Sequence, residues 1–304
     1  MVGAQDTGIA TTMRLILAAL AILLTLAPPA MAAEAGRSQA RTIVMSAFPP
    51  EMQALEAATR DRREHAYAGV RFVTGTLEGK PVVLLLSGVS MVNAARTTQL
   101  ALDHFNVRRI VFSGVGGGVD PSLHVGDVVV AAQWSEYLEM TFARTVAPAD
   151  QDPTRFGMMV PGPVTLQRWP AEAEHRTWFP ADPTLLEAAR RAAKDVTLKQ
   201  CEGRRCLPAP PRIIVGGNGV SGSAFVDNAA FRQFAFATFK ADVLDMESAA
   251  VAHVAYLNRT PFIAFRSLSD LAGGDPGANQ FPMFVKLASD NSAAAVRRFL
   301  REAR

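Results

Sequence analysis

Arg109-Ile110-Val111-Phe112-Ser113 is an apolar run that passes directly into Gly114-Val115-Gly116-Gly117-Gly118. Its β-branched and aromatic residues predict a short buried strand. The glycines that follow read as a loop letting a ligand approach the backbone, or equally as a tight turn between strand and loop. Their spacing is not that of a dinucleotide fingerprint, and a hairpin rather than a βαβ unit precedes them.

Toward the N-terminus, Arg41–Phe48 reads as a buried strand running into a loop. Met52, Leu55 and Ala58 then give Glu51–Arg63 helical spacing. Val70–Leu77 and Val82–Ser87 read as a hairpin joined by Glu78-Gly79-Lys80-Pro81, and Met91–Phe105 as a helix. Toward the C-terminus, Asp127–Ala132, Ile213–Val215 and Phe262–Ser267 read as strands, with helices at Phe231–Phe239, Ser248–Leu257 and Phe284–Ala303. Residues 144–212 are rich in Pro, charge and Trp, and only Pro183–Ala193 there has a helical pattern. Strands apolar throughout, alternating with helices, predict one α/β domain over 33–304. Its sheet is expected to be mixed, largely parallel and flanked by helices, with an irregular insertion at about 144–212.

Residues 1–32 stand apart. Arg14 precedes the apolar run Leu15–Leu26, and Pro28-Pro29 and Ala30-Met31-Ala32 follow. That order is a secretory signal with cleavage expected after Ala32, which implies export to a periplasm or beyond the cell. The run is too short to span a bilayer comfortably, so no membrane association is expected after cleavage. Cys201 and Cys206 are the two cysteines of the chain. No His lies nearby and two ligands are too few for a metal, so the expectation is a local disulfide. The net charge of +3 is small and basic residues form no stripe, the densest groups being Arg60-Asp61-Arg62-Arg63 and Arg190-Arg191. A nucleic-acid surface is thereby excluded.

Two further clusters could carry chemistry. Asp245-Met246-Glu247-Ser248 opens an Ala-rich helix. A carboxylate there is stabilised by helix-end amides and can accept hydrogen bonds from a diol, though the same residues also make a plain N-cap. Arg266-Ser267-Leu268-Ser269-Asp270 ends an apolar strand. Ligands in open α/β sheets gather at such ends, while Ser269-Asp270 is equally able to cap the next segment.

Seven segments in order resemble the nucleoside phosphorylase superfamily, most closely its methylthioadenosine/S-adenosylhomocysteine nucleosidase branch. They are Ser46-Ala47-Phe48-Pro49-Pro50-Glu51-Met52, Ser87-Gly88-Val89-Ser90, Ser113 to Gly118, Val125-Gly126-Asp127-Val128-Val129-Val130, Val220-Ser221-Gly222-Ser223-Ala224-Phe225, Asp245 to Ser248, and Arg266 to Asp270. The similarity runs over about 42–142 and from 213 onward. It implies a phosphorylase/hydrolase-like fold and cleavage of a purine N-glycosidic bond, with no cofactor and no metal.

Matched position by position, the resemblance makes Asp270 the acid that protonates the leaving base at N7. Glu51 becomes the base that takes a proton from water, and Arg266 helps order both water and Glu51. Glu247 would hold the ribose hydroxyls, Met246 pack beneath the sugar and Phe225 stack on the base. Ser113, Gly114, Val226, Ser269 and Phe281 complete the expected binding set. Read without the resemblance, Glu51 is an ordinary first-turn acid and Phe225 a core residue. His124 and His253 are expected to be surface or structural.

Where phosphorolytic members hold phosphate, this chain has Phe112 and Val115, neither of which binds an oxyanion; water is therefore the expected nucleophile. The nucleosidase branch carries a serine in place of Val115, which leaves Ser113 as the hydroxyl to replace it. The family further implies a homodimer, with Phe281 a candidate to reach across. A phosphate-dependent phosphorylase and an exported nucleoside-binding or storage protein without turnover are the two alternatives. The exported compartment admits either a 5′-thio-substituted or a scavenged adenosine-type nucleoside.

Overall fold

In the computed structural model, which describes residues 39–142 and 159–303, the chain enters the sheet at once through β1 (Arg41–Ser46). The segment read as an export signal lies outside the described residues, as does 143–158 of the insertion. Next come α1 (Pro49–Ala58), β2 (Arg60–Tyr67), β3 (Val70–Leu77), β4 (Lys80–Leu86), α2 (Met91–His104) and β5 (Val107–Gly118). The middle supplies β6 (Val128–Val130), β7 (Gln133–Glu136), β8 (Phe179–Pro180), α3 (Pro183–Ala192), β9 (Ile213–Val215) and β10 (Asn218–Ser221). The chain closes with α4 (Ala229–Phe239), β11 (Ala241–Asp245), α5 (Ser248–Leu257), β12 (Phe262–Asp270) and α6 (Phe281–Glu302).

These twelve strands form one mixed sheet in the order β8-β7-β10-β11-β5-β1-β4-β3-β2, with β12 joining β5 to β6 and β9 pairing β6. Its centre is parallel: β1 runs parallel to β4 and β5, and β12 parallel to β5. Alternate residues of β1 serve opposite faces. Ile43 and Met45 pack with Ala94 and Ala101 of α2 and Val251 and Ala255 of α5, whereas Val44 joins Met52 and Leu55 of α1 and Val296 and Phe299 of α6. Both faces are covered, which is why the central strands are apolar throughout. Among the described residues no helix is long and apolar enough to cross a membrane.

Three expectations are corrected. The helix from Glu51 stops at Ala58, because Thr59 is extended and Arg60–Tyr67 forms the edge strand β2. That strand is almost wholly exposed and charged, so it shows no apolar alternation; charges along an edge also discourage pairing with another chain. The glycine segment 114–118 is not a loop but the continuation of β5, bonded to β12 from Ile110 to Gly117 and to β11 at Gly117 and Gly118. The insertion is more regular than its composition suggests. Besides α3 it holds hairpins at 164–166/174–176 and 201–202/205–206, and Cys201 is disulfide-bonded to Cys206.

Candidate active site

One cavity of about 280 Å³ opens where β5, β11 and β12 end, between the starts of α1, α5 and α6. Glu51, Asp245, Glu247 and Asp270 line it together with Met246, Phe225, Val226, Ser269, Phe281 and Val115. Among the described residues its lining has four carboxylates and no Lys, Arg or His. Most of the residues singled out from sequence therefore meet in one place. A larger recess of about 820 Å³ between α1 and α2 contains none of them.

Glu51 is held by the geometry of its helix start. Pro49 and Pro50 occupy the first turn, where missing N–H groups cost nothing, and Glu51 follows as the third helical residue. Its Oε2 accepts the N–H groups of Ala47 (2.7 Å) and Phe48 (3.4 Å), and Oε1 accepts that of Val115 (2.8 Å). Thus it is both the first-turn acid and a cavity residue. Burial pushes its carboxyl above the usual range, opposed by Arg266 and these three amides. A carboxylate that is ionised yet reluctantly so is a stronger base.

Asp270 stands on the last residue of β12. Its Oδ1 accepts the Ala272 N–H (2.9 Å) and Oδ2 the Ser269 hydroxyl (2.8 Å). Burial raises this carboxyl too, and among the described residues no arginine pairs with it, whereas Glu51 has Arg266 at 3.7 Å. Unequal donor sets favour ionised Glu51 and protonated Asp270.

Both acids rest on β5, and its glycines make that possible. A Cβ on Gly114 would lie 2.0 Å from Arg266 Nη1 and 2.7 Å from Glu51 Oε1; one on Gly117 would lie 3.2 Å from Asp270 Oδ1. Three strand residues span roughly 10 Å, enough for a sugar ring with a water on one side.

Behind the cavity sits Arg266, fully buried over the Phe112 ring at 4.0 Å. Its Nε is 2.6 Å from Asp245 Oδ2 and 3.0 Å from the Ser248 hydroxyl, and Nη2 is 3.5 Å from Glu247 Oε2. It does not line the cavity; it acts through the carboxylates. Asp245, given no role from sequence, is the partner that orients it. The other oxygen of Asp245 accepts the Ser221 hydroxyl and the N–H groups of Glu247 and Ser248. Its signal was the short run Asp245–Ser248 itself, a carboxylate two residues before another at a helix start.

Glu247 takes the Ser90 N–H on Oε1 (2.8 Å). Sequence reasoning missed Ser90, whose positive φ of 82° aims that N–H. Burial pushes the Glu247 carboxyl up to about 7 despite the opposing pull of Arg266. The group is protonated more readily folded than unfolded, so its contribution is full below the unfolded value and is lost as pH rises through about 7. Glu247→Gln is therefore expected to melt higher than the parent at about pH 8 and alike at about pH 4, as calorimetry would read. Equal melting at both pH values would refute it.

Two expected binding residues are misplaced by the sequence reading. The Ser113 hydroxyl is fully buried against the Ser292 hydroxyl at 2.9 Å and cannot hold a water in the cavity. Gly114 does not line the cavity either; it is the seat for Arg266 and Glu51. Phe225 is 58% exposed at the mouth, edge-on to Phe281 at 5.5 Å, and so is not a core residue. His253 stacks on Phe179, away from the cavity, and His124 lies beside Asp127.

Residues 41–301 match the family profile described as the Phosphorylase superfamily. A 5′-methylthioadenosine/S-adenosylhomocysteine nucleosidase of Marinomonas sp. (strain MWYL1) is 34% identical over 259 residues, covering 85% of this chain and 97% of that one. Bark storage protein A of Populus deltoides is 30% identical over 251 residues, 77% of this chain and 78% of that one. Among solved structures, the corresponding nucleosidase of Colwellia psychrerythraea 34H in complex with adenine superposes with a TM-score of 0.66 at 28% identity, covering 88% and 97% of the two chains.

Proposed function

The chain belongs to the Phosphorylase superfamily, and from that premise we propose that it is a nucleosidase hydrolysing the N-glycosidic bond of an adenosine-type purine nucleoside. The observation that carries this reading is a cavity wall with four carboxylates and, among the described residues, no cation. An oxocarbenium-like sugar is stabilised by such a wall, whereas a phosphate dianion is repelled by it. Arg266, behind the wall, is already shared among Asp245, Glu247 and Glu51.

In the proposed reaction the bond from C1′ to the base breaks as Asp270 passes its proton to N7, so the base leaves neutral. Glu51 takes a proton from the water that attacks C1′. Glu247 accepts from the ribose hydroxyls, Met246 lies beneath the sugar, and Phe225 and Val226 flank the base. The Val115 side chain cannot hold the water, and the buried Ser113 does not replace a hydroxyl there, so Glu51 orients the nucleophile itself. Free base should form from 5′-methylthioadenosine, S-adenosylhomocysteine or adenosine at the same rate with and without phosphate, as chromatography would read. Strict phosphate dependence with a sugar phosphate as product would overturn the proposal.

The similarity to a bark storage protein supports the second reading, a storage protein that keeps the fold without turnover. Calorimetric binding with no base released selects it.

We further propose export and homodimerisation. Leu15–Leu26 with Ala30-Met31-Ala32 supports the first, and a disulfide suits an oxidising compartment. N-terminal sequencing of the mature protein should begin at Ala33. For the second, Val89 and Phe225 of the cavity lining are exposed apolar side chains, and Val92 and Met283 are exposed as well. Light scattering at the mass of two chains would agree, and a monomer would not.

A further inference from the structure

Ser90 is the N-cap of α2, and its carbonyl accepts the Ala94 N–H at 3.0 Å. Its backbone lies at φ 82° and ψ 158°, a region essentially reserved for glycine. A residue with a Cβ persists there only where its surroundings over-determine it. The bond from the Ser90 N–H to Glu247 Oε1 at 2.8 Å is made by the backbone alone, so a glycine would make it equally well. What the serine adds is its hydroxyl. At an N-cap that hydroxyl ordinarily turns onto the first N–H groups of the helix. Here, among the described residues, it makes no such cap bond, and it donates instead to the Ser223 hydroxyl at 2.8 Å, 133 residues along the chain. Ser223 opens the segment 223–227 between β10 and α4, whose Ala224, Phe225 and Val226 line the cavity, as does Val89 beside Ser90. Among the described residues the other hydrogen bond to this segment is the longer one from the Tyr137 hydroxyl to the Ala224 carbonyl, 3.3 Å.

We propose that Ser90 is a positioning residue for both halves of the nucleoside: its N–H orients the carboxylate that holds the ribose, and its hydroxyl latches the segment that flanks the base. This rests on the cavity being the nucleoside site and on Glu247 holding the sugar. With the latch made, the walls around the base are ordered before a nucleoside arrives. Without it, the nucleoside has to order 223–227 itself, which weakens binding. The segment flanks the base in ground state and transition state alike, so the change falls on KM rather than kcat. Ser223 is exposed, so water competes for the bond and its effect is modest.

Ser90→Ala and Ser223→Ala each remove the latch and leave the Ser90 N–H in place. Each should raise KM, and the calorimetric Kd for 5′-methylthioadenosine, by roughly two- to fivefold. Both remove the same bond, so the double variant should bind no more weakly than either single one. Ser223→Thr keeps a hydroxyl and should return KM to the parent value. Ser90→Gly loses the hydroxyl and the backbone strain together, so it should share the KM of Ser90→Ala and melt higher than that variant. Unchanged KM in both alanine variants, with or without a lower melting temperature, overturns the inference, and so do effects that multiply in the double variant. Calorimetry reads the latch without turnover. A parent that binds the nucleoside and releases no base therefore refutes the nucleosidase reading and leaves this inference standing, whereas a parent that binds no nucleoside refutes both.

Discussion

Asp270→Asn is expected to lower kcat for base release by roughly 10²–10⁴-fold, with nucleoside binding retained. The Asn side chain keeps an oxygen for the Ala272 N–H, so the loop geometry at 2.9 Å survives. What disappears is the proton. Without it the purine must leave as an anion, and the carboxylates that favour a cationic sugar oppose an anionic base beside it. The KM-against-kcat split is the informative reading, because a group acting only in the transition state lowers kcat and leaves binding alone. Single-turnover measurement of base release on the variant, alongside calorimetric binding, checks it. Parent-like kcat would remove Asp270 from the mechanism.

Arg266→Met should cost stability more than any change at the cavity wall. The guanidinium is fully buried and paired with Asp245 at 2.6 Å, Glu247 at 3.5 Å and Glu51 at 3.7 Å. Removing one partner of a buried pair leaves uncompensated charge and typically costs about 3–5 kcal/mol. In a domain of this size that is a melting temperature lower by roughly 10 °C. The loss has a predictable pH dependence. Arg266 lowers the pKa of both Glu51 and Glu247, so without it both carboxyls hold protons to higher pH. Groups raised further in the folded state lose stability as pH rises. The variant should therefore lie nearer the parent at about pH 5 than at about pH 8, and an equal deficit at both would contradict the charge argument.

Much of this site is legible in the sequence because its acids fall on element ends with marked neighbours. Pro49-Pro50 marks the start of the helix that carries Glu51, and an apolar strand announces Asp270 at its end. What stays hidden depends on contacts between distant segments. Ser113 and Val115 look equally available on paper; only the pairing of β5 with β12 and α6 turns one hydroxyl onto Ser292 and leaves the other position facing the cavity. The strand Arg60–Tyr67 is invisible to periodicity because an exposed, charged edge has no apolar face to alternate. The five-residue strand Ala241–Asp245 between two helices is too short and too buried to show a period at all.

The continuous run of β5 beneath both acids has a further result. The span between proton donor and proton acceptor is set by the peptide repeat, a ruler that side-chain exchange elsewhere cannot stretch. Residues at the rim, such as Phe225 in its loop and Phe281 at the start of α6, are free to drift and so to alter which molecule is admitted. Relatives built on the same ruler can differ in diet while breaking the same bond.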